Sequence, residues 1–176
     1  MSIHNDDNIV LPDGRTLGDL LAEDTRKYDN VKRVPSKSIY VIGSLANPEI
    51  IPFANRLRKA GFDAFDEWLC GGPEMDLNWQ RYEKARGRTF IEALQGHHAK
   101  HVFAFDKLHL DRCDIAVMVM PCGKSGWAEM AYTIGRGKPA YVLATDGIER
   151  FDVMIQFCTA IFTDEEALLA VLKNDY

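Results

Sequence analysis

The sequence predicts an α/β fold: a single-domain, three-layer sandwich in which helices cover both faces of a parallel sheet of about five strands. Short apolar runs such as SIYVIGS and DIAVMVM are typical of strands that are buried on both faces. Amphipathic stretches separate these runs, and such alternation is typical of right-handed crossovers within one parallel sheet. With 176 residues and 47% hydrophobic content, the chain is long enough to bury one substantial core.

Residues 1–37 are predicted to form an N-terminal appendage, and residues 38–176 the α/β domain. The dipeptide Asp13-Gly14 is a turn signal, and Thr16 is suited to cap a short helix that follows it. The basic segment VKRVPSKS, which contains a proline, then connects the appendage to the domain.

The first two predicted strands flank a helix. Residues 38–44 form the first strand, which Gly43 closes, and residues 63–66 form a short second strand. Asn47 is suited to cap the start of the intervening helix, and Gly61 is suited to end it. Each boundary of this first unit is therefore marked by a residue type that favours it.

A helical insert, at about residues 73–110, follows the second strand and is predicted to contain two helices broken near Gly96. The apolar run 114–120 is the third strand, and a helix at 125–137 follows it. Two further strands and a closing helix capped by Thr163 or Asp164 complete the domain: 139–144, 158–163 and 164–174.

A strand order of 2-1-3-4-5, as in flavodoxin/Rossmann-like folds, puts the topological switch point between strands 1 and 3. In such sheets ligands bind there, beyond the carboxyl ends of the strands. The loops concerned are GSLANP, DEWLCGGPE and PCGKSG, which follow strands 1, 2 and 3. Residues in or beside these loops are the site candidates: Tyr40, Gly43, Ser44, Asp66, Trp68, Ser125, Gly126 and Glu129.

Glu129 is the candidate whose chemistry is the most specific. Ser125 is expected to be the N-cap of the helix after the third strand, which puts Glu129 in the first turn. There the positive end of the helix favours an ionised carboxylate by about 0.3–1 kcal/mol. Such a carboxylate can stabilise a cation or attack one covalently, although acidic residues are common in first turns for the same electrostatic reason.

Asp106 supplies a second carboxyl group. It lies eight residues before Asp114, on a helix that delivers the chain into the third strand, so we expect it near the sheet. An acid there can protonate a leaving group while Glu129 acts as nucleophile, and such carboxyl pairs are the usual apparatus of glycosidic chemistry. Tyr40 is placed either to hydrogen-bond and orient Glu129 or to pack as an ordinary strand aromatic.

Three sequence features together resemble the nucleoside 2-deoxyribosyltransferase superfamily, which includes related nucleoside and nucleotide N-glycosidases. They are IYVIGS, the spacing from Asp106 to Asp114, and GKSGWAEMAYTIGRGKP, and the similarity covers residues 38–145. The resemblance implies a compact parallel α/β protein that assembles as a homo-oligomer, a dimer or higher. It also implies that Glu129 attacks the anomeric carbon, that Asp106 contacts the base or donates a proton, and that Tyr40 positions Glu129.

Several residues of the insert and its surroundings allow two interpretations. Trp68, at the expected mouth of the cleft, is the better candidate to stack on a base, whereas Trp79 and Tyr82 have the helical spacing of core residues. The segment RGR suggests a phosphate contact through Arg86 or Arg88, but it fits a solvated basic face equally well.

Composition and missing motifs argue against several functional classes. A net charge of −5 without a basic excess argues against nucleic acid, and no apolar run approaches a membrane span or a signal segment. Four scattered cysteines without a CxxC pair favour a reducing compartment, so we expect a cytoplasmic protein. His97 and His101 lack a third metal ligand, and both a P-loop and GxGxxG are absent. We therefore expect no metal and no cofactor.

The functional hypothesis is cleavage of the N-glycosidic bond of a (deoxy)nucleoside or nucleotide through a glutamate nucleophile, by base exchange or hydrolysis. A small-molecule nucleoside or nucleotide is the expected partner. Two alternatives remain open: an NAD/ADP-ribose-type glycohydrolase, which would also use a glutamate beside a parallel sheet, and a non-catalytic nucleotide-sensing module.

Overall fold

The computed structural model describes residue 10 and residues 14–16, 36–148 and 153–176. The chain divides into two compact units, Met1–Pro35 and Ser36–Tyr176. In the first unit, Val10 and Thr16 pair as an isolated antiparallel bridge around Gly14, whose φ of 84° is typical of a turn glycine. The helix expected after Thr16 lies outside the described residues.

The second unit contains a five-stranded parallel sheet in the order 2-1-3-4-5, which confirms the predicted topology. The strands are β1 (Ser38–Ile42), β2 (Asp63–Phe65), β3 (Ile115–Val119), β4 (Ala140–Leu143) and β5 (Ala160–Phe162). Every residue of the central strand β3 is buried, as expected for a strand that has a neighbour on each edge and helices on each face.

Six α-helices surround this sheet in the described part of the chain. They are α1 (Ile50–Lys59), α2 (Met75–Ala85), α3 (Phe90–Leu94), α4 (His97–Arg112), α5 (Lys124–Gly135) and α6 (Glu165–Asp175). Two short 3-10 helices lie at Glu67–Gly71 and Val153–Phe157. Among the described helices, none combines the length and the apolar character that crossing a bilayer requires.

Alternate residues of the strands point to opposite faces of the sheet, and each face has its own core. Ile39 and Val41 pack with residues of α1 and α6, whereas Tyr40 and Ile42 pack with residues of α4 and α5. The layers are therefore helix, sheet and helix, as predicted. Burial of a large side chain such as Phe53, which is fully buried, contributes roughly 1.5–3 kcal/mol.

The insert after β2 contains three helices, so the prediction of two is wrong in number. The predicted break at Gly96 is present, since this residue precedes α4 as its N-cap. A second break follows α2, where Gly87 has a φ of 71°. Thr89 then starts α3 through a reciprocal capping box with Glu92. The local signal for this break, Gly followed by Thr-x-x-Glu, is visible in the sequence.

The start of α1 also differs from the prediction. The helix begins at Ile50, and Asn47 is not its N-cap. The buried Asn47 side chain instead accepts a hydrogen bond from the Glu49 amide (3.0 Å) and donates one to the Met120 carbonyl oxygen (3.2 Å). It therefore joins the loop after β1 to the end of β3. The predicted stop at Gly61 is confirmed, because this residue follows the helix with a φ of 98°.

The start of α5 corrects two expectations about the site. The N-cap is Gly123, and Ser125 is the second helical residue rather than the cap. Glu129 is consequently the sixth residue of the helix, beyond the first turn. The helix dipole acts mainly within the first turn, so the stabilisation of an ionised Glu129 expected from it does not apply.

Candidate active site

A cavity of about 190 Å³ lies at the carboxyl ends of β1 and β3, where the topology predicts a binding site. The loops after these two strands form its walls: Ser44, Ala46, Asn47, Pro48, Pro121, Cys122 and Gly123. The loop after β2, which was expected to contribute, provides no residue to this lining.

A larger groove of about 1340 Å³ runs along a different side of α5. Apolar side chains such as Trp127, Met130, Ile134 and Phe157 line much of it. Neither this groove nor the smaller cavity is lined by the three residues predicted to be catalytic.

Those three residues, Tyr40, Asp106 and Glu129, lie near one another where α4 and α5 pack on β1. Tyr40 lies on β1 and is fully buried, while the other two lie on α4 and α5, which pack on β1 and on each other. Burial and then the charges of Glu129 and Asp106 raise the pKa of the Tyr40 phenol above its ordinary value. Because only nearby charges act in this way, the three side chains share one environment.

The two carboxyl groups are both harder to ionise than ordinary ones. Burial, followed by the charge of Asp106, raises the pKa of Glu129 to about 7. Burial raises the pKa of Asp106 to about 6. The expectation that the ionised form of Glu129 is favoured is therefore wrong, since desolvation outweighs the distant helix end. Two interacting carboxyls of this kind titrate as a pair and can share one proton near neutral pH.

Two polar atoms of this cluster have no hydrogen-bond partner among the described residues: the Tyr40 hydroxyl and Asp106 Oδ1. The expected hydrogen bond from Tyr40 to Glu129 is therefore not formed in this structure. An unsatisfied buried polar group costs roughly 1–3 kcal/mol. Such groups are rare in folded proteins and occur at functional sites more often than chance would give.

Aromatic rings account for much of the burial around these groups. The Phe65 ring lies 5.1 Å from that of Tyr40 and stacks on His109, with 3.7 Å between ring centroids. Phe105 meets the same His109 ring edge-on at 4.9 Å. Asp106 lies on the same helix, α4, as Phe105 and His109, and burial is the cause of its raised pKa.

Cys122 lies at the small cavity and near Glu129, and it is not among the residues predicted from the sequence to form the site. It lines the cavity, and burial together with the charge of Glu129 raises the pKa of its thiol to about 11. Its position in the loop after β3, beyond the carboxyl end of the central strand, was the available signal. The thiol stays protonated at neutral pH, so a neutral side chain lines the cavity near Glu129.

Three of the residues predicted to bind substrate are needed for packing. A side chain at Gly43 would collide with Ile50, and one at Gly126 would collide with Cys122 and with Ile42 of β1. Gly126 therefore lets the start of α5 lie close against β1. Trp68 donates its indole N–H to the Val41 carbonyl oxygen (2.8 Å) and so forms a fixed wall beside the end of β1.

Two of the three remaining polar candidates have local partners. Asp66 is buried and forms an ion pair with Arg58 of α1. The Ser44 hydroxyl, on the cavity wall, accepts a hydrogen bond from the Ala46 amide (3.3 Å). Ser125 is exposed at the start of α5.

The arginines of the basic segment RGR form ion pairs within the insert itself. Arg88 lies 3.1 Å from the buried carboxylate of Glu83, and Arg86 lies 3.9 Å from it. These pairs fasten the turn between α2 and α3, so the phosphate contact considered for the two arginines has no support in the structure.

Among known proteins, the chain matches solved structures rather than family profiles or curated sequences. No protein-family profile matches the chain, and no curated protein sequence matches it. A solved structure of the 2-deoxyribosyltransferase from the psychrotolerant bacterium Bacillus psychrosaccharolyticus is similar, with a TM-score of 0.53 and 21% sequence identity. The match covers 77% of this chain and 95% of that one. The chain thus has the fold of a 2-deoxyribosyltransferase, as the resemblance in its motifs predicts.

Proposed function

We propose that this chain cleaves the N-glycosidic bond of a (deoxy)nucleoside or nucleotide, with Glu129 as the nucleophile and Asp106 as the proton donor. The observation that carries the proposal is the carboxyl pair itself, because Glu129 and Asp106 share one environment and can share one proton near neutral pH, with pKa values of about 7 and about 6. The reactive form has this proton on Asp106 and Glu129 ionised, although the higher pKa of Glu129 makes the opposite arrangement the more populated one. Double-displacement glycoside chemistry needs one ionised and one protonated carboxyl on either side of the scissile bond. The shared fold supports the same assignment.

The first step breaks the bond to the base. A carboxylate oxygen of Glu129 attacks the anomeric carbon, the electron pair of the N-glycosidic bond moves to the base nitrogen, and Asp106 protonates the base. The product is a glycosyl ester on Glu129 and a free neutral base. Glu129 loses its negative charge when it forms the ester. The repulsion between the two carboxyls then disappears, and this favours the ionised form of Asp106.

The second step releases the sugar. An incoming base or a water molecule attacks the anomeric carbon, Asp106 accepts its proton, and Glu129 leaves as a carboxylate. Attack by a base gives exchange, and attack by water gives hydrolysis. Both outcomes use the same residues and return the pair to its starting protonation state.

Tyr40 is assigned as the residue that positions Glu129. Its hydroxyl has no partner among the described residues, and its raised pKa keeps it protonated at neutral pH. It is thus available to donate a hydrogen bond to the ionised Glu129 carboxylate. We assign Gly43, Ser44, Trp68 and Gly126 to the walls of the substrate site, which the domain at 38–176 contains in full.

The test is a product assay on a panel of substrates. The protein is incubated with deoxy- and ribonucleosides and their 5′-monophosphates, with and without an acceptor base, and free base is followed by chromatography. We expect release of base from at least one member, with a rate that is highest between about pH 6 and 7, where the pair carries one proton. A new nucleoside in the presence of the acceptor identifies exchange.

Two arms of the assay address the alternatives. Release of nicotinamide from NAD would favour the ADP-ribose-type glycohydrolase instead. Thermal stabilisation by a nucleotide without any product would favour a sensing module, and the proposal would then be wrong. We further propose a homo-oligomeric cytoplasmic enzyme, which light scattering on the purified protein and fractionation of its cells would check.

A further inference from the structure

A polar network joins α4 to α5 close to both carboxyls but outside the pair itself. Asp111 of α4 accepts a hydrogen bond from the Tyr132 hydroxyl of α5 (2.5 Å) and another from Lys107 (2.5 Å). Asp111 follows Asp106 by five residues, and Tyr132 follows Glu129 by three. The network therefore ties the two helices together at a point within about one and a half turns of each carboxyl.

Lys138 makes a second connection between the same two elements. Its ammonium group, just beyond the end of α5, donates hydrogen bonds to the carbonyl oxygens of Leu110 and Asp111 at 2.8 Å each. These carbonyls belong to the last turn of α4, where helical carbonyls lack partners within the helix. Lys138 therefore caps α4 with a side chain from the segment that follows α5.

The Tyr132 ring is held on its faces as well as at its hydroxyl. Lys107 lies 5.4 Å and Arg136 lies 5.8 Å from the ring centroid, at distances where cations are attracted to an aromatic face. Arg136 also lies 3.7 Å from Asp111. One aromatic side chain is thus fixed by an anion at its edge and by cations over its ring.

We propose that Asp111, Tyr132 and Lys138 form a positioning clamp, which sets the distance between Asp106 on α4 and Glu129 on α5. The clamp as a structural device stands independently of the proposed function, and only its effect on turnover rests on that function. Displacement of a reacting group by about 1 Å can cost roughly 100-fold in rate. Two helices that each carry one carboxyl need such a connection.

The clamp keeps its charge throughout the range in which the carboxyl pair titrates. Hydrogen bonds from Lys107 and then from Tyr132 lower the pKa of Asp111 below its ordinary value. The titratable groups that interact with the pair are Tyr40 on β1 and Cys122 after β3, and both stay protonated at neutral pH. Protonation of the pair and integrity of the clamp are therefore separable.

The experiment compares carboxyl titrations of the full-length protein by ¹³C NMR. Tyr132→Phe removes the clamp hydroxyl and changes no charge. We expect the upper titration midpoint of the Asp106–Glu129 pair to fall by about half a pH unit or more, because loosened helices let the two carboxyls separate and hydrate. Turnover should fall about 10-fold through kcat with KM unchanged, and its pH optimum should shift with the midpoint.

A second variant and a matched control decide between positioning and general stability. Lys138→Met should also lower the midpoint, whereas simple loss of a positive charge would raise it. Glu165→Gln breaks the ion pair with Arg56 that joins α1 and α6 on the opposite face, and should lower thermal stability without moving the midpoint. An unmoved midpoint in Tyr132→Phe, or a raised one in Lys138→Met, overturns the clamp.

The NMR measurement also separates this inference from the proposed function. If the wild-type protein shows no turnover but the titration midpoint of the carboxyl pair still falls in Tyr132→Phe, the clamp is retained and the N-glycosidase assignment is rejected. If the wild-type protein does turn substrate over but Tyr132→Phe moves neither the titration midpoint nor the pH optimum, the N-glycosidase assignment is retained and the clamp is rejected.

Discussion

The two faces of the sheet are built from the same strands but have opposite character. On one face Ile39 and Val41 pack against apolar side chains of α1 and α6, such as Leu57 and Leu168. On the other face Tyr40 is packed among residues of α4 and α5, the helices that carry Asp106 and Glu129. One strand thus contributes to a purely apolar core on one face and to the core beside the carboxyl pair on the other, because successive residues face opposite ways.

The two faces differ in the number of buried polar groups that lower the stability of the folded protein. The face of α1 and α6 has no unsatisfied polar atom among those identified in the described residues, whereas the face of α4 and α5 holds two, on Tyr40 and Asp106. It also holds a carboxyl pair that resists ionisation. Costs of this kind persist at functional sites, where the surrounding structure compensates for them. Four measurements test this difference between the two faces.

The largest expected effect is on turnover. Glu129→Gln removes the proposed nucleophile while keeping its shape, and the rate of base release should fall by roughly 10³-fold or more, which is about 4 kcal/mol in the barrier. The measurement is the chromatographic assay on the best substrate. Glu165→Gln, on the opposite face, is the control and should keep its rate. Normal turnover by Glu129→Gln would remove this residue from the mechanism.

The next effect is on stability and concerns the opposite face. Leu57 is fully buried, so Leu57→Ala should lower the free energy of unfolding by roughly 2–5 kcal/mol through lost burial and a residual cavity. Urea denaturation measures it. The control is Leu77→Ala, because Leu77 is 50% exposed and its loss should change stability by about 0.5 kcal/mol at most. Equal effects of the two would contradict the assignment of this core.

The pH dependence of stability should come from the carboxyl face. The pKa of Glu129 is about 7 in the folded protein, against an ordinary value of 4.5, so the folded state binds more protons between these values. The free energy of unfolding should therefore fall as pH rises from about 4.5 through 7. Glu129→Gln should reduce this slope to the part contributed by Asp106, whose pKa is raised to about 6, and should be more stable than wild type at pH 8 by about 1–3 kcal/mol.

Urea denaturation of both proteins at pH 5 and pH 8 gives this comparison directly. Asp106→Asn, which removes the neighbouring charge, should flatten the slope in the same direction. The contribution of Asp106 to the slope, measured with Asp106→Asn, is subtracted first. If the wild-type protein still became more stable from pH 5 to pH 8, Glu129 would be well solvated in the folded protein.

The smallest effect compares two tyrosines, one on each face. The Tyr40 hydroxyl lacks a partner among the described residues, whereas the Tyr141 hydroxyl forms a 3.1 Å hydrogen bond with that of Tyr176. Tyr40→Phe should therefore raise the free energy of unfolding by about 1 kcal/mol, and Tyr141→Phe should lower it by a similar amount. Thermal denaturation measures both changes. Effects of the same sign would show that the Tyr40 hydroxyl is satisfied in solution.

The sheet was accessible from the sequence because its signals are local. Strands β1, β3, β4 and β5 coincide with apolar runs, and the observed order 2-1-3-4-5 is the predicted one. Gly61 ends α1 and Asp164 caps α6 as expected, since Asp164 accepts a hydrogen bond from the Glu166 amide (2.7 Å). These features depend on backbone preferences of a few consecutive residues, which do not change with the rest of the fold.

The site was only partly accessible. The sequence indicated Tyr40, Asp106 and Glu129, and the structure brings them together, but it also reverses the expected electrostatics of Glu129. Asn47 and Ser125 were expected to cap helices, and neither does. The insert has one helix more than expected, although its capping box at Thr89 is a local signal that is present in the sequence.

The sequence alone determined the order of secondary structure, the alternation of the strand faces and the residue types available for chemistry. Only the tertiary structure decided the protonation of those residues and their partners. Asp66 pairs with Arg58, Cys122 lies near Glu129, and Lys138 caps a helix that ends twenty-six residues earlier. The reason is physical: backbone propensity is a short-range property of the chain, whereas desolvation and charge coupling depend on which distant segments packing brings into contact.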